Sequence, residues 1–65
     1  MKITLNGSVA ETDSPDLAAL VTAKGIDPCA LVIEHNSRVI KQEHWGTTPV
    51  REGDVIELLN FVGGG

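Results

Sequence analysis

The sequence predicts an α+β fold in which a mixed β-sheet carries one main helix on one of its faces. Three observations support this prediction: a strand-turn-strand pattern opens the chain, a single helix with clear end signals follows, and the last strand is the most apolar. The chain has 65 residues, so we expect one domain that buries roughly 60% of the surface of the unfolded chain. A deep, enclosed active site is not expected at this size.

The first strands are predicted from alternation and turn chemistry. Polar and apolar residues alternate from Lys2 to Asn6, with Ile3 and Leu5 on one face, as in a half-buried strand. The pair Asn6-Gly7 tolerates positive φ angles, and residues 8–12 (SVAET) can return beside the first strand. The N-terminal unit is therefore predicted to be a β-hairpin.

The helix is predicted from signals at both of its ends. Ser14 suits the N-cap, Pro15 the first helical position and Asp16 the electropositive first turn. Lys24 in the last turn and Gly25 just beyond it are typical of a helix end. Between these ends, apolar residues at helical spacing predict one stripe that faces the core: Leu17, Leu20 and Val21.

The second half of the chain is predicted to contain three more strands. Residues 30–35 (ALVIEH) and the short segment from Arg38 to Ile40 are joined by the turn sequence NS. A polar stretch containing Trp45 predicts a short helical turn and a loop. Residues 51–54 (REGD) then form a tight turn before residues 55–61 (VIELLNF), the most apolar strand.

The order ββαβββ allows few compact topologies. Because the last strand is too apolar for a sheet edge, we predict that it is central and parallel to the first strand, with the helix covering one face. That arrangement is a β-grasp roll. We assign residues 1–60 to a single β-grasp domain and residues 61–65 to a flexible tail that ends in Gly-Gly, since consecutive glycines have high backbone entropy and contribute no packing.

Charge and composition exclude several classes of function. A net charge of −4 and an isoelectric point of about 4.8 argue against nucleic-acid binding and favour a basic protein partner. The single cysteine excludes an internal disulfide, and no secretory signal or apolar run of about 20 residues is present. We therefore expect a cytoplasmic protein without a membrane partner.

The interior of the domain offers no obvious catalyst. Cys29, His35 and His44 lie in three separate segments without the spacing of a metal site, so we expect no bound metal. The serines lie at turns and caps, where local hydrogen bonding explains them. Cys29 itself is interpreted as a small, half-buried hydrophobic residue.

The tail is the segment whose chemistry stands out. Without Cβ atoms, Gly63, Gly64 and Gly65 can thread a narrow channel in another protein and present the Gly65 carboxylate to an ATP-bound active site. A carboxylate resists nucleophiles until it is activated, for example as an anhydride with AMP. The reacting group would then belong to the main chain.

A second feature lies on the last strand, beside the tail. If Ile56 and Leu58 point to the core, alternation puts Leu59 and Phe61 on the opposite face together with Val55, and Val32 joins them from the neighbouring strand. Such an apolar patch predicts a docking surface. Coverage of these positions by the chain's own loops is the alternative.

The pattern resembles the ThiS family, the small ubiquitin-like sulfur carriers of thiamine biosynthesis. The resemblance extends over nearly the whole chain and rests on KITLNG, on Leu17 and Leu20, on ALVIEHNSRVIKQEHW and above all on REGDVIELLNFVGGG. It implies a β-grasp fold and a protein that is a co-substrate and not an enzyme.

The resemblance also implies a chemistry and a set of partners. An E1-like enzyme of the ThiF type would use ATP to adenylate Gly65, and sulfur from a donor protein would replace AMP to give a thiocarboxylate. A thiazole synthase of the ThiG type would accept this sulfur. The carrier would bind no cofactor itself, Gly63 and Gly64 would thread into the partner, and Phe61 and Val62 would help to dock the tail beside Val32 and Leu59.

Three alternative functions remain open from the sequence. The small subunit of molybdopterin synthase shares the fold and the diglycine end, and only a partner can decide, because the chemistry at Gly65 would be the same. A ubiquitin-like modifier would transfer its activated carboxylate to lysine amines. A structural interaction domain with an inert tail is the third alternative.

Overall fold

The computed structural model describes residues 1–60. The elements in chain order are strand β1 (Lys2–Leu5), strand β2 (Ser8–Glu11), helix α1 (Leu17–Lys24), a 3₁₀ helix (Pro28–Ala30), strand β3 (Leu31–His35), strand β4 (Arg38–Ile40), a second 3₁₀ helix (Gln42–Thr47) and strand β5 (Val55–Asn60). The predicted order ββαβββ is confirmed, and the helical turn around Trp45 is the second 3₁₀ helix.

All five strands form one mixed sheet in the order β2-β1-β5-β3-β4. The last strand lies in the centre, parallel to β1 and antiparallel to β3, and the two hairpins β1-β2 and β3-β4 form the flanks. This arrangement confirms the predicted mixed sheet with a central last strand. It also explains the apolar sequence of β5, because a central strand has neighbours on both sides.

The core lies between helix α1 and one face of the sheet. Its buried members come from helix α1, from strands β1, β3 and β5, from the second 3₁₀ helix and from the loop before β5. They are Ile3, Leu17, Leu20, Val21, Leu31, Ile33, Trp45, Val50 and Ile56. The predicted helix stripe is therefore confirmed. Trp45 is buried, and its indole N–H donates to the Ile40 carbonyl at 2.8 Å, so this large aromatic has its polar atom paired.

The turns of both hairpins also hold the central strand. Asn6 and Asn36 each adopt a positive φ angle at the start of a two-residue turn, with φ of 50° and 52°. The Asn36 Oδ1 atom accepts a hydrogen bond from the Val55 N–H at 2.8 Å, and the Asn6 Oδ1 atom accepts one from the Leu58 N–H at 2.7 Å. The two turns thus bind the backbone of β5 from opposite sides.

The start of the helix differs from the prediction. Asp16, and not Ser14, is the N-cap: its backbone is extended and its carboxylate accepts a hydrogen bond from the Ala19 N–H at 2.8 Å. Pro15 lies before the helix, where its carbonyl accepts from the Val50 N–H at 3.0 Å. This strand-like pairing keeps the chain extended through Asp16 and delays the first helical turn. The predicted end at Lys24 and Gly25 is confirmed, with Gly25 in the left-handed conformation at φ 68°.

Asp54 is the centre of a buried polar network at the start of β5. Its carboxylate accepts hydrogen bonds from the Arg51 N–H at 2.8 Å, the Asn36 amide at 3.1 Å and the His35 Nε2 atom at 2.8 Å. Burial alone would raise the pKa of Asp54, but these hydrogen bonds outweigh it and hold the pKa below its ordinary value. The network ties the β3-β4 turn to the loop that leads into the central strand.

Three further sequence-based expectations concern Cys29, membrane-spanning helices and the tail. Cys29 is exposed and not half-buried, because it lies in the short 3₁₀ helix between α1 and β3, where the Asp27 carboxylate accepts from its N–H. Within residues 1–60, no helix is long and apolar enough to cross a membrane. The predicted flexible tail, residues 61–65, lies outside the described residues.

The helix cap can be tested by comparing two alanine substitutions. We expect Asp16→Ala to lower the free energy of unfolding by about 1 kcal/mol, because it removes the acceptor for the first-turn N–H. Ser14→Ala should change it much less, measured by urea denaturation. A loss for Ser14→Ala equal to that for Asp16→Ala would contradict the assignment of Asp16 as the cap.

The Asp54 network predicts a dependence of stability on pH. Because the folded pKa is lowered, the unfolded state binds more protons between the two pKa values, so the free energy of unfolding should decrease as pH falls below about 4. Asp54→Asn should remove this part of the decrease and cost roughly 1–3 kcal/mol at neutral pH. Denaturant titrations from neutral to acid pH would measure both effects, with the exposed Asp13→Asn as control. If the free energy of unfolding fell with decreasing pH as much in Asp54→Asn as in the wild type, the role of the network would be refuted.

Candidate functional site

The sheet face opposite helix α1, called the open face below, carries the predicted docking surface. Alternation along β5 directs Ile56 and Leu58 toward the core, as predicted, and leaves Val55 and Leu59 exposed with 46% and 43% of their surface accessible. Val32 lies directly opposite Leu59 in the register of β3 and β5 and is half-buried. The structure therefore brings Val32 and Leu59 together on one surface.

The described part of the chain ends beside this apolar pair. Strand β5 ends at Asn60, which pairs with Leu31 at the start of β3, one position beyond the Val32-Leu59 pair. The other predicted site residues, Phe61, Val62, Gly63, Gly64 and Gly65, lie outside the described residues. Whatever follows Asn60 in the chain thus starts next to Leu59.

Two carboxylates occupy the middle of the open face. Glu34 on β3 lies directly opposite Glu57 on β5. This pair is two residues along the strands from Val32 and Leu59, and it is therefore the next pair on the same face. Both side chains are half-buried, and Val39 of β4 lies on the other side of Glu34 with 65% of its surface exposed. Across residues 1–60, the contacts within 4.0 Å between a basic nitrogen and a carboxylate join Met1 to Glu11 and His35 to Asp54, so neither carboxylate of the open face is paired with a cation there.

The sequence analysis did not identify this pair of carboxylates. The position of Glu34 opposite Glu57 depends on the register of β3 against β5. The available signal was the alternation of both strands, which puts Glu34 two residues from Val32 and Glu57 two residues from Leu59. Neighbouring antiparallel strands with matched alternation bring such residues opposite each other.

The remaining candidate groups are dispersed. His35 belongs to the Asp54 network, whereas His44 and Cys29 are exposed at separate positions. Among the residues that the structure describes, no group of three or more His, Cys, Asp or Glu side chains is placed to hold a metal ion. The open face is therefore the candidate functional site.

Two solved structures have the same fold over the whole chain. The crystal structure of the thiamine biosynthesis protein ThiS from Geobacter metallireducens is 30% identical, with a TM-score of 0.86 and a match that covers 100% of both chains. An NMR structure of a thiamine biosynthesis protein from the same organism is 30% identical, with a TM-score of 0.81, and the match covers 100% of this chain and 88% of the other.

Sequence comparison finds two longer relatives. Proteins called thiazole synthase from Magnetococcus marinus and Paramagnetospirillum magneticum are 33% and 29% identical over 66 aligned positions. The match covers 100% of this chain but 20% of each relative, so the chain spans about a fifth of their length. The model of the ThiS family matches residues 3–65. Sequence and fold agree over nearly the whole chain, which therefore belongs to the ThiS family.

Proposed function

We propose that this chain is a sulfur carrier whose C-terminal Gly65 is converted to a thiocarboxylate that donates sulfur to the thiazole ring of thiamine. The observation that supports this function most directly is the family match over residues 3–65, which includes the terminal glycines. The likeness to a thiamine biosynthesis protein over the full length of both chains supports the same pathway.

The proposed chemistry takes place on the main-chain carboxylate. An oxygen of the Gly65 carboxylate attacks the α-phosphorus of ATP, pyrophosphate leaves, and the resulting acyl-adenylate is reactive toward nucleophiles. A sulfide or persulfide sulfur then attacks the carbonyl carbon, and AMP leaves with the C–O bonding electrons. When the donor is a persulfide, a thiol must afterwards reduce the S–S bond of the acyl disulfide to release the thiocarboxylate.

In this scheme the carrier contributes recognition and a reactive carboxylate, and its partner contributes catalysis. ATP would be bound by an E1-like enzyme of the ThiF type, and the carrier would hold no cofactor. Gly63 and Gly64 suit a narrow entry channel, because a residue without Cβ lets the backbone pass close to a wall. Val32 and Leu59, together with Phe61 and Val62, would dock the domain at the entrance.

A thiazole synthase of the ThiG type is the proposed sulfur acceptor. The names of the two longer relatives support it, because in each of them a segment similar to this whole chain belongs to a protein called thiazole synthase. A carrier-like segment within such a chain indicates that carrier and synthase act together. The molybdopterin-type carrier and the protein modifier then become outcomes that an experiment can separate from this proposal.

The first test is the fate of Gly65. After incubation with the host's E1-like enzyme, ATP and a sulfur donor, we expect the intact mass to show replacement of one oxygen by sulfur. Deletion of Gly64 and Gly65 should abolish this change and leave the free energy of unfolding nearly unchanged, since terminal glycines have no side chain to pack.

Each alternative has its own result in this experiment. Conjugates linked to lysines would identify a protein modifier, and a thiocarboxylate that supports molybdopterin synthesis but not thiazole formation would identify the related carrier. An unchanged mass with a demonstrably active enzyme, or thiamine synthesis supported by the truncated chain, would refute the proposed function.

The docking surface can be tested at Leu59. Truncation to alanine should raise the Kd for the E1-like enzyme about tenfold, because it removes roughly 1.5 kcal/mol of apolar burial at the interface. Stability should change little, since 43% of the Leu59 surface is already exposed. Val9→Ala, an apolar truncation on strand β2 at the far edge of the sheet, is the matched control. Equal Kd values for Leu59→Ala and the wild type would exclude Leu59 from the interface.

A further inference from the structure

The carboxylate pair Glu34 and Glu57 has no evident role in the stability of the isolated domain. The two residues lie directly opposite each other on adjacent strands, where like charges destabilise a sheet. Both are half-buried, which reduces screening by solvent, and no cation within residues 1–60 lies within 4.0 Å of either. An arrangement that is unfavourable in the free domain becomes favourable when a cation is supplied from outside.

The surroundings of the pair indicate a protein surface as the source of this cation. Val32 and Leu59 lie on one side along the strands, and the exposed Val39 lies beside Glu34. A face that combines exposed apolar side chains with unpaired charge suits an interface with an apolar centre and one specific polar contact. Leu59 is also close in sequence to the terminal glycines, since β5 ends at Asn60 and residues 61–65 follow.

Two other occupants fit the open face less well. A second copy of this chain, docked symmetrically through the same face, would bring four carboxylates together and increase the repulsion. The remaining segment of the sequence, Phe61 to Gly65, contains no basic side chain and could not neutralise the pair. Charge complementarity therefore favours a different protein with a basic side chain.

We propose that the enzyme that activates the tail inserts an arginine between Glu34 and Glu57, with apolar side chains of that enzyme packed on Val32 and Leu59. A planar guanidinium suits this position because its five N–H donors can serve two carboxylates at once, which a lysine ammonium does less well. This inference rests on the proposed function, since it names the contact by which the activating enzyme would recognise the carrier.

The proposal has two measurable consequences. Since both carboxylates contact one guanidinium, the effects of removing them should be coupled and not additive. Since part of the affinity is ionic, the Kd of the wild type should rise with salt more steeply than the Kd of a variant without the two charges. A purely apolar interface would show neither behaviour.

The experiment compares the full-length wild type with Glu34→Gln, Glu57→Gln and the double variant. Binding to the host's E1-like enzyme is measured by calorimetry at low and high salt, and Glu43→Gln is the control because Glu43 is an exposed carboxylate on the second 3₁₀ helix. We expect each single variant to raise the Kd about tenfold at low salt, and the double variant to raise it by less than the product of the two. Thermal unfolding should show unchanged or higher Tm values, because a repulsion has been removed.

The outcomes separate this inference from the function on which it rests. If the wild type is thiocarboxylated but the Glu34 and Glu57 variants bind as tightly as Glu43→Gln, the arginine contact is refuted and the sulfur carrier stands. If the wild type is not thiocarboxylated by an active enzyme, the proposed function itself fails. A wild type that sediments as a dimer disrupted by Leu59→Ala would assign the face to a second copy and refute the inference.

Discussion

The central position of β5 is the constraint on which the rest of the structure depends. This strand pairs with β1 on one side and with β3 on the other, so its register fixes both halves of the sheet. Its alternation then defines two surfaces at once, with Ile56 in the core and Leu59 on the open face. A slip of one residue would exchange these surfaces, burying Glu57 and exposing Ile56. The core and the open face therefore depend on the same register.

The register of β5 is held by contacts near its start and middle. Asp54 accepts three hydrogen bonds just before the strand, and the side chains of Asn36 and Asn6 accept from the N–H groups of Val55 and Leu58. The end of the strand carries Leu59 and leads to the tail. Under the proposed function, the Asp54 network would stay intact when a partner binds Leu59, because that network lies at the opposite end of β5.

Most of the fold could be predicted from local sequence, because its turns, strand alternation and apolar stripe are short-range patterns. The helix start could not, since Ser14 and Asp16 are both good caps. Pairing of Pro15 with Val50 decides between them. The Asp54 network likewise joins residues up to 19 positions apart, and the facing of Glu34 and Glu57 requires a known register. The candidate site was therefore predicted as an apolar patch, while its charged centre required the three-dimensional arrangement.

The proposed function makes particular demands on the open face. A carrier that is charged with sulfur by one enzyme and discharged by another must bind each partner selectively and then dissociate. A wholly apolar face would bind many surfaces and favour self-association. Burying carboxylates at its centre is unfavourable unless the partner places a cation against them. They therefore raise selectivity and association rate more than affinity. The facing positions of Glu34 and Glu57 are thus consistent with a surface suited to transient, specific contacts.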